Sequence, residues 1–141
     1  MVNRPNQRRP EAGIADFDAD AMLTQAAQVR ADELAATGTY SHIRPDGSDR
    51  STVSNCPYTA ENIHRITDRR LEELGKGLAE VVVDDWAASS GHLKNILNDG
   101  LSEIGVGLAR GMNVAGEDCW YCVQIVAHEG YYVTWVAKPV G

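Results

Sequence analysis

His92 and Asn95 stand three residues apart in the stretch WAASSGHLKNILNDGLSEIGVG, residues 86–107, and so share one face of any helix formed there. A polar histidine held between a helix and the strand pattern that follows is in the usual place for a site in a mixed fold, although a single histidine there more often caps or completes a core. Ser89 and Ser90 lie close enough to His92 in sequence to suggest a serine nucleophile with an imidazole base. The glycine pattern of a nucleophile elbow is missing, so capping is the expected job of both serines, with Ser90 capping the turn that carries His92. Cys119-Trp-Tyr-Cys122 has the spacing of a redox or zinc pair. It falls in an alternating strand pattern, where residues three apart point to opposite faces, and a redox pair needs its first cysteine at a helix N-terminus. His64 and His128 belong to no motif and read as surface or loop residues.

The elements that must position these groups can be read from periodicity and punctuation. Asp20 is a good N-cap for a helix from about Ala21 to Ala36, in which Leu23, Ala26, Ala27, Arg30 and Leu34 recur at helical spacing, and Thr37-Gly38 ends it. Residues 40–48 read as an irregular loop turning at Pro45-Asp46-Gly47, and residues 49–60 as a weakly patterned connection that carries Cys56. From Thr67, apolar residues step by three or four through Leu71, Leu74, Leu78, Val82 and Trp86. Gly75 and Gly77 interrupt that run, each costing about 1 kcal/mol against alanine in a helix. A short helix followed by a longer one from about Leu78 to Ala88 is therefore expected. Asn98-Asp99-Gly100 closes the turn that holds His92. Strands are expected over 103–110, 119–127 and 131–137, with a tight hairpin at His128-Glu129-Gly130. Helices first and strands last make an α+β domain with an antiparallel sheet.

The chain of 141 residues is long enough to bury a core and reads as one domain over 1–141, with an N-terminal arm at 1–13 and a strand extension at 128–141. A net charge of −7 argues against nucleic acid and anionic membranes as partners. Arg4, Arg8 and Arg9 place any basic patch at the N-terminal end. No run approaches the roughly 18 apolar residues of a membrane span, and the opening MVNRPNQRRP does not read as a signal peptide. A monomer is expected.

Four patches taken together resemble one family: SHIRPDGS (41–48), ENI (61–63), W-x-x-S-x-G-H-x-x-N-I-L (86–97) and IGVG (104–107), followed by WYCVQ (120–124). In this order and spacing they are similar to the CAP superfamily of cysteine-rich secretory, antigen five and plant pathogenesis-related proteins, and in particular to its bacterial branch. Asn6, Arg9 and Gly13 match the family's opening, and the resemblance covers about residues 6–126. It implies an α-β-α sandwich with a central antiparallel sheet. It also implies a surface cleft in which His42 and His92 match the cleft histidines and Glu61 the acid of the Gly-Glu-Asn motif, with Ser89 and Asn95 as further cleft residues. Ser89 stands where many eukaryotic members carry a second acid, and Ala60 replaces the usual glycine. The connection from Ile63 to Trp86 is longer than usual.

The resemblance implies a secreted or cell-surface binding module for a small apolar or lipid-like ligand or a protein partner. Two imidazoles and one carboxylate suit Zn²⁺ or another divalent cation, so His42, His92 and Glu61 form a candidate metal set. The alternative is a metal-dependent, protease-like hydrolase using the same three residues, although they lack the H-E-x-x-H spacing. Extracytoplasmic relatives make a disulfide from Cys56 plausible. Strand parity lets at most one of Cys119 and Cys122 reach it, Cys122 being preferred, and three reduced thiols are the alternative.

Overall fold

The computed structural model describes residues 9, 17–54, 56, 59–98, 100–127 and 139. In chain order the elements are β1 (Asp18–Ala19), α1 (Ala21–Thr37), a 3-10 turn (Arg50–Val53), β2 (Thr59–Thr67), α2 (Asp68–Leu74), α3 (Leu78–Ala88), α4 (Ser90–Ile96), β3 (Glu103–Met112) and β4 (Asp118–Ala127). The N-terminal arm, the hairpin at 128–130 and the strand expected over 131–137 lie outside the described residues, Arg9 excepted.

The helices begin and end where local chemistry dictates. The Asp20 carboxylate accepts from the Leu23 N–H at 2.8 Å, and Gly38, in the left-handed region at φ 67°, donates its N–H to the Leu34 carbonyl. The Gly75–Gly77 interruption separates α2 from α3 as expected, with Gly75 at φ 64° closing α2. The expected cap before His92 differs. Helix α4 starts at Ser90 itself, the N-cap position falls to Ser89, and the Ser89 side chain makes no capping hydrogen bond. The reason is that Ser89 also ends α3, so the chain passes from one helix to the next without a free turn.

The sheet runs β1-β3-β4-β2, antiparallel through its three long strands, with two-residue β1 added parallel to β3 at the edge. Strand β2 is not among the strands expected from the sequence, because the buried Glu61 and Asn62 break the apolar alternation that marks a strand. Odd-numbered β4 residues, Cys119 to Ala127, pack against α1 through Leu23, Ala26, Ala27, Ala31 and Leu34. On the other face, Cys122, Ile66, Val81, Val82, Trp86 and Ile96 form a second core under α3 and α4. The result is a helix–sheet–helix sandwich.

Helix α1 approaches β3 closely because that strand offers glycine. A Cβ on Gly105 would stand 2.1 Å from the Leu23 carbonyl carbon, and one on Gly107 2.4 Å from that of Ala27. Two cysteine expectations divide here. Cys119 and Cys122 do face opposite cores, as strand parity requires. The disulfide to Cys56 is not formed: all three residues are buried thiols. The β2–β4 register pairs Thr59 with Ala127 and Thr67 with Cys119, which puts Cys56, just before β2, at the far end of β4 from Cys119, while Cys122 faces the opposite core.

Candidate functional site

Glu61 sits on β2 with its side chain 1% exposed, directed toward α1. Burial alone would push this carboxyl up, but hydrogen bonds from His42 and Arg30, with the Arg30 charge, outweigh it and hold the group below the usual carboxylate range. Arg30, fully buried in α1, grips it in a fork: Nε donates to Oε2 at 2.8 Å and Nη2 to Oε1 at 3.2 Å. The same guanidinium donates to the Ser41 carbonyl at 2.8 Å and to Glu33 at 3.2 Å. Arg44 clamps Glu33 from the loop side at 2.6 Å. Arg30 and Arg44 therefore tie the loop that carries His42 down onto α1.

His42 Nδ1 lies 2.8 Å from Glu61 Oε1, and its side chain is half exposed. An ionised carboxylate can only accept, so Nδ1 carries the proton and Nε2 is the nitrogen left for a ligand.

His92 reaches the same edge from α4. Its carbonyl accepts from Asn62 Nδ2 at 3.2 Å, and Asn95 Nδ2 donates to Asn62 Oδ1 at 2.8 Å and to the Glu61 carbonyl at 3.5 Å. Asn62 Nδ2 also donates to Gln124 Oε1 at 3.0 Å. Two backbone carbonyls, of Glu61 and His92, thus fix which way both asparagines point, and they lock α4 to β2. Burial first, then the charges of His42 and His64, push the His92 imidazole below its ordinary value, so it favours the neutral form. Its Nδ1 is buried with no hydrogen-bond partner among the described residues.

Strand β2 is an edge of the sheet among the described residues, and side chains from both layers cover its carbonyls. Thr59 accepts from Arg50 at 3.1 Å, Glu61 from Asn95, and Ile63 from both Tyr40 Oη at 3.0 Å and Trp86 Nε1 at 2.9 Å. This covering blocks strand addition along the edge and holds the His42 loop and α4 on either side of it.

Ser89 lies at the α3–α4 junction with no capping role for its side chain. Among the described residues, no three His, Cys, Asp or Glu side chains are grouped to hold a metal ion. A cavity of about 320 Å³ opens not over the two histidines but beside Arg30, Glu33, Ile43 and Arg44. His64 stands on β2 rather than in a loop, and its Nε2 lies 2.8 Å from Asp85 Oδ2. His128 lies outside the described residues. Arg9 is also corrected. It is buried and donates to the carbonyls of Ile96, Asn98 and Leu101, each at 3.0 Å, so it ties down the end of α4 rather than forming a basic patch.

Residues that sequence reasoning missed are Arg30, Glu33, Asn62 and Gln124. Arg30 left one signal, a charged residue at the core spacing of α1.

The helix–sheet–helix sandwich is that of a CAP domain. The chain belongs to that family, the cysteine-rich secretory protein family, whose family model matches residues 2–126. It is 27% identical over 110 residues to YkwD, an uncharacterized protein of Bacillus subtilis, covering 76% of this chain and 40% of that protein. The chain thus spans well under half the length of the curated relative it matches. Among solved structures it is similar to an extracellular protein with an SCP domain from Bacillus anthracis, with TM-score 0.65 and 21% identity over 91% of this chain and 39% of the other. It is also similar to an outer surface protein from Borrelia burgdorferi, with TM-score 0.62 and 19% identity over 91% of this chain and 90% of the other. At those identities the two structures establish a shared fold. No helix among the described residues is long and apolar enough to cross a membrane.

Proposed function

We propose that this domain is a secreted or surface-exposed binding module that takes a small ligand beside β2, with His42 and His92 as contacting groups. The observation that carries this reading is the saturation of Glu61. Both carboxylate oxygens are engaged, one by Arg30 and the other by Arg30 and His42, so the acid orients an imidazole instead of facing a substrate. His42 then offers Nε2, and the His92 imidazole favours the neutral form, its buried Nδ1 having no hydrogen-bond partner among the described residues. The bacterial relatives described as extracellular or outer-surface proteins support placement outside the cell.

A zinc-type ion fits this donor set as a two-imidazole site with Glu61 behind His42, the arrangement in which a carboxylate fixes the ligating tautomer. Such an ion would supply Lewis acidity when bound. Adding Glu61 as a third ligand would require breaking its pairing with a fully buried guanidinium, which leaves that charge uncompensated. The same pairing weighs against Glu61 as the general base of a hydrolase, and so favours binding over turnover.

Native mass spectrometry of protein purified without metal-affinity resin tests the proposal, comparing the wild type with a His42→Ala/His92→Ala double variant. A small-molecule or ion adduct present on the wild type and absent from the variant is expected. Identical spectra, whether both carry an adduct or neither does, would overturn it.

A further inference from the structure

Beyond the point where Tyr40 and Trp86 cover the Ile63 carbonyl, the β2 edge borders a second cleft of about 400 Å³, within the usual range for small-molecule sites. His64, Arg65, Arg69, Arg70, Glu73 and Asp85 line it. Neither His42, Glu61 nor His92 does.

The charges around this cleft can be matched one by one. Asp85 takes His64 at 2.8 Å, Glu73 lies 4.0 Å from Arg70, and Glu117 lies 3.1 Å from Arg69. Arg65 is the one left over. Its guanidinium lies 5.1 Å from the centre of the Tyr40 ring, and among the described residues no carboxylate forms an ion pair with it. The residue is half-buried, and its guanidinium also interacts with the hydroxyl of the fully buried Tyr121, its partner across the β2–β4 ladder. This is an unusual place for a cation without a counter-ion, since the chain has 20 acidic residues against 13 basic ones. The Tyr40 face and the Tyr121 hydroxyl take up part of this guanidinium, and the N–H donors that remain in its fork match carboxylate and phosphate oxygens.

We infer that this cleft binds a small oxyanion of the carboxylate or phosphate class, with Arg65 as the primary contact. Arg69 and Arg70 raise the local potential from the flank. His64, oriented by Asp85, forms a polar wall. The site is separate from the histidine site and does not depend on what that site binds.

The test titrates the full chain at low ionic strength with inorganic phosphate and, separately, with acetate. Arginine side-chain NMR and calorimetry provide the readouts. The Arg65 Nε–H signal of the wild type should shift and saturate, a measurement that needs no variant to fold. Arg65→Gln should weaken binding by about tenfold or more, as loss of a charge-assisted hydrogen bond implies. Arg65→Lys keeps the charge without the fork and should recover only part of the affinity. Lys76→Gln removes an equal charge from an exposed turn and should leave affinity unchanged. The tighter of the two anions identifies the class. The inference fails if neither anion moves the Arg65 signal, if Arg65→Gln binds as tightly as the wild type, or if Lys76→Gln weakens binding as much as Arg65→Gln does.

Discussion

Replacing Arg30 with methionine keeps most of the apolar stem but removes the guanidinium that holds Glu61. The variant loses the forked pair at 2.8 and 3.2 Å and the bond to the Ser41 carbonyl, and leaves a carboxylate that is 1% exposed with His42 as its remaining partner. Breaking a buried pair from one side costs about 3–5 kcal/mol near neutral pH, a large part of a domain's total stability. The sign with pH follows from Glu61. In the wild type its folded pKa is lowered, so its contribution is full above the ordinary carboxylate range and is lost as pH falls through the folded value. Without Arg30, burial dominates and raises that pKa, so the variant takes up a proton earlier. The stability gap between the two proteins should therefore be widest near neutral pH and narrow on acidification. Urea unfolding followed by tryptophan fluorescence, to which the buried Trp86 contributes, measures it. An Arg30→Met/Glu61→Leu double variant should recover much of the loss, since an apolar pair replaces an ionic one. A single-variant cost below about 1 kcal/mol, the range of an exposed pair, would refute the reasoning. So would a gap that does not change with pH.

Three further outcomes follow from the same geometry. Gly105→Ala should cost at least about 2–3 kcal/mol in thermal or urea unfolding, because the new Cβ meets the α1 backbone, and a neutral effect would mean that α1 does not pack there. Thiol titration without reductant should find three reactive groups per denatured chain and almost none in the folded protein, where burial pushes Cys122 up to about 12; one reactive thiol on denaturation would restore the disulfide. Because the folded His92 pKa lies below its ordinary value, the wild type should lose stability as pH falls through the imidazole range toward that folded value. His92→Gln should flatten this part of the Tm profile, and an unchanged slope would contradict the assignment.

The helices are legible in the sequence because their ends are written locally. Asp20, Gly38 and the Gly75–Gly77 pair act within one turn of their own position, and the structure uses each of them as the spacing implies. Strand β2 is not legible, because it buries Glu61 and Asn62 where a pattern reading looks for apolar residues. The partners that make those residues tolerable, Arg30, Asn95 and Gln124, lie 31 to 62 positions away. Arg30 shows the limit most clearly: its place on the buried stripe of α1 can be read from periodicity, but nothing local says which acid it meets. The short spacing between Ser90 and His92 suggests a cap, and that reading fails because α3 and α4 share Ser89 as their junction. For the histidines, the family pattern supplies a pairing across 50 positions that no local rule provides.

The central claim is that His42 and His92 act together on a ligand while Glu61 stays with Arg30. The most direct measurement is a zinc titration followed by NMR of the imidazole nitrogens, run on the wild type and on an Arg30→Lys variant that keeps a cation beside Glu61. In the wild type, His42 Nε2 and a nitrogen of His92 should shift together with a single saturation curve, while His42 Nδ1 keeps its proton and its bond to Glu61. Separate responses from the two histidines, or loss of the His42 Nδ1 proton as zinc recruits Glu61, would contradict the account.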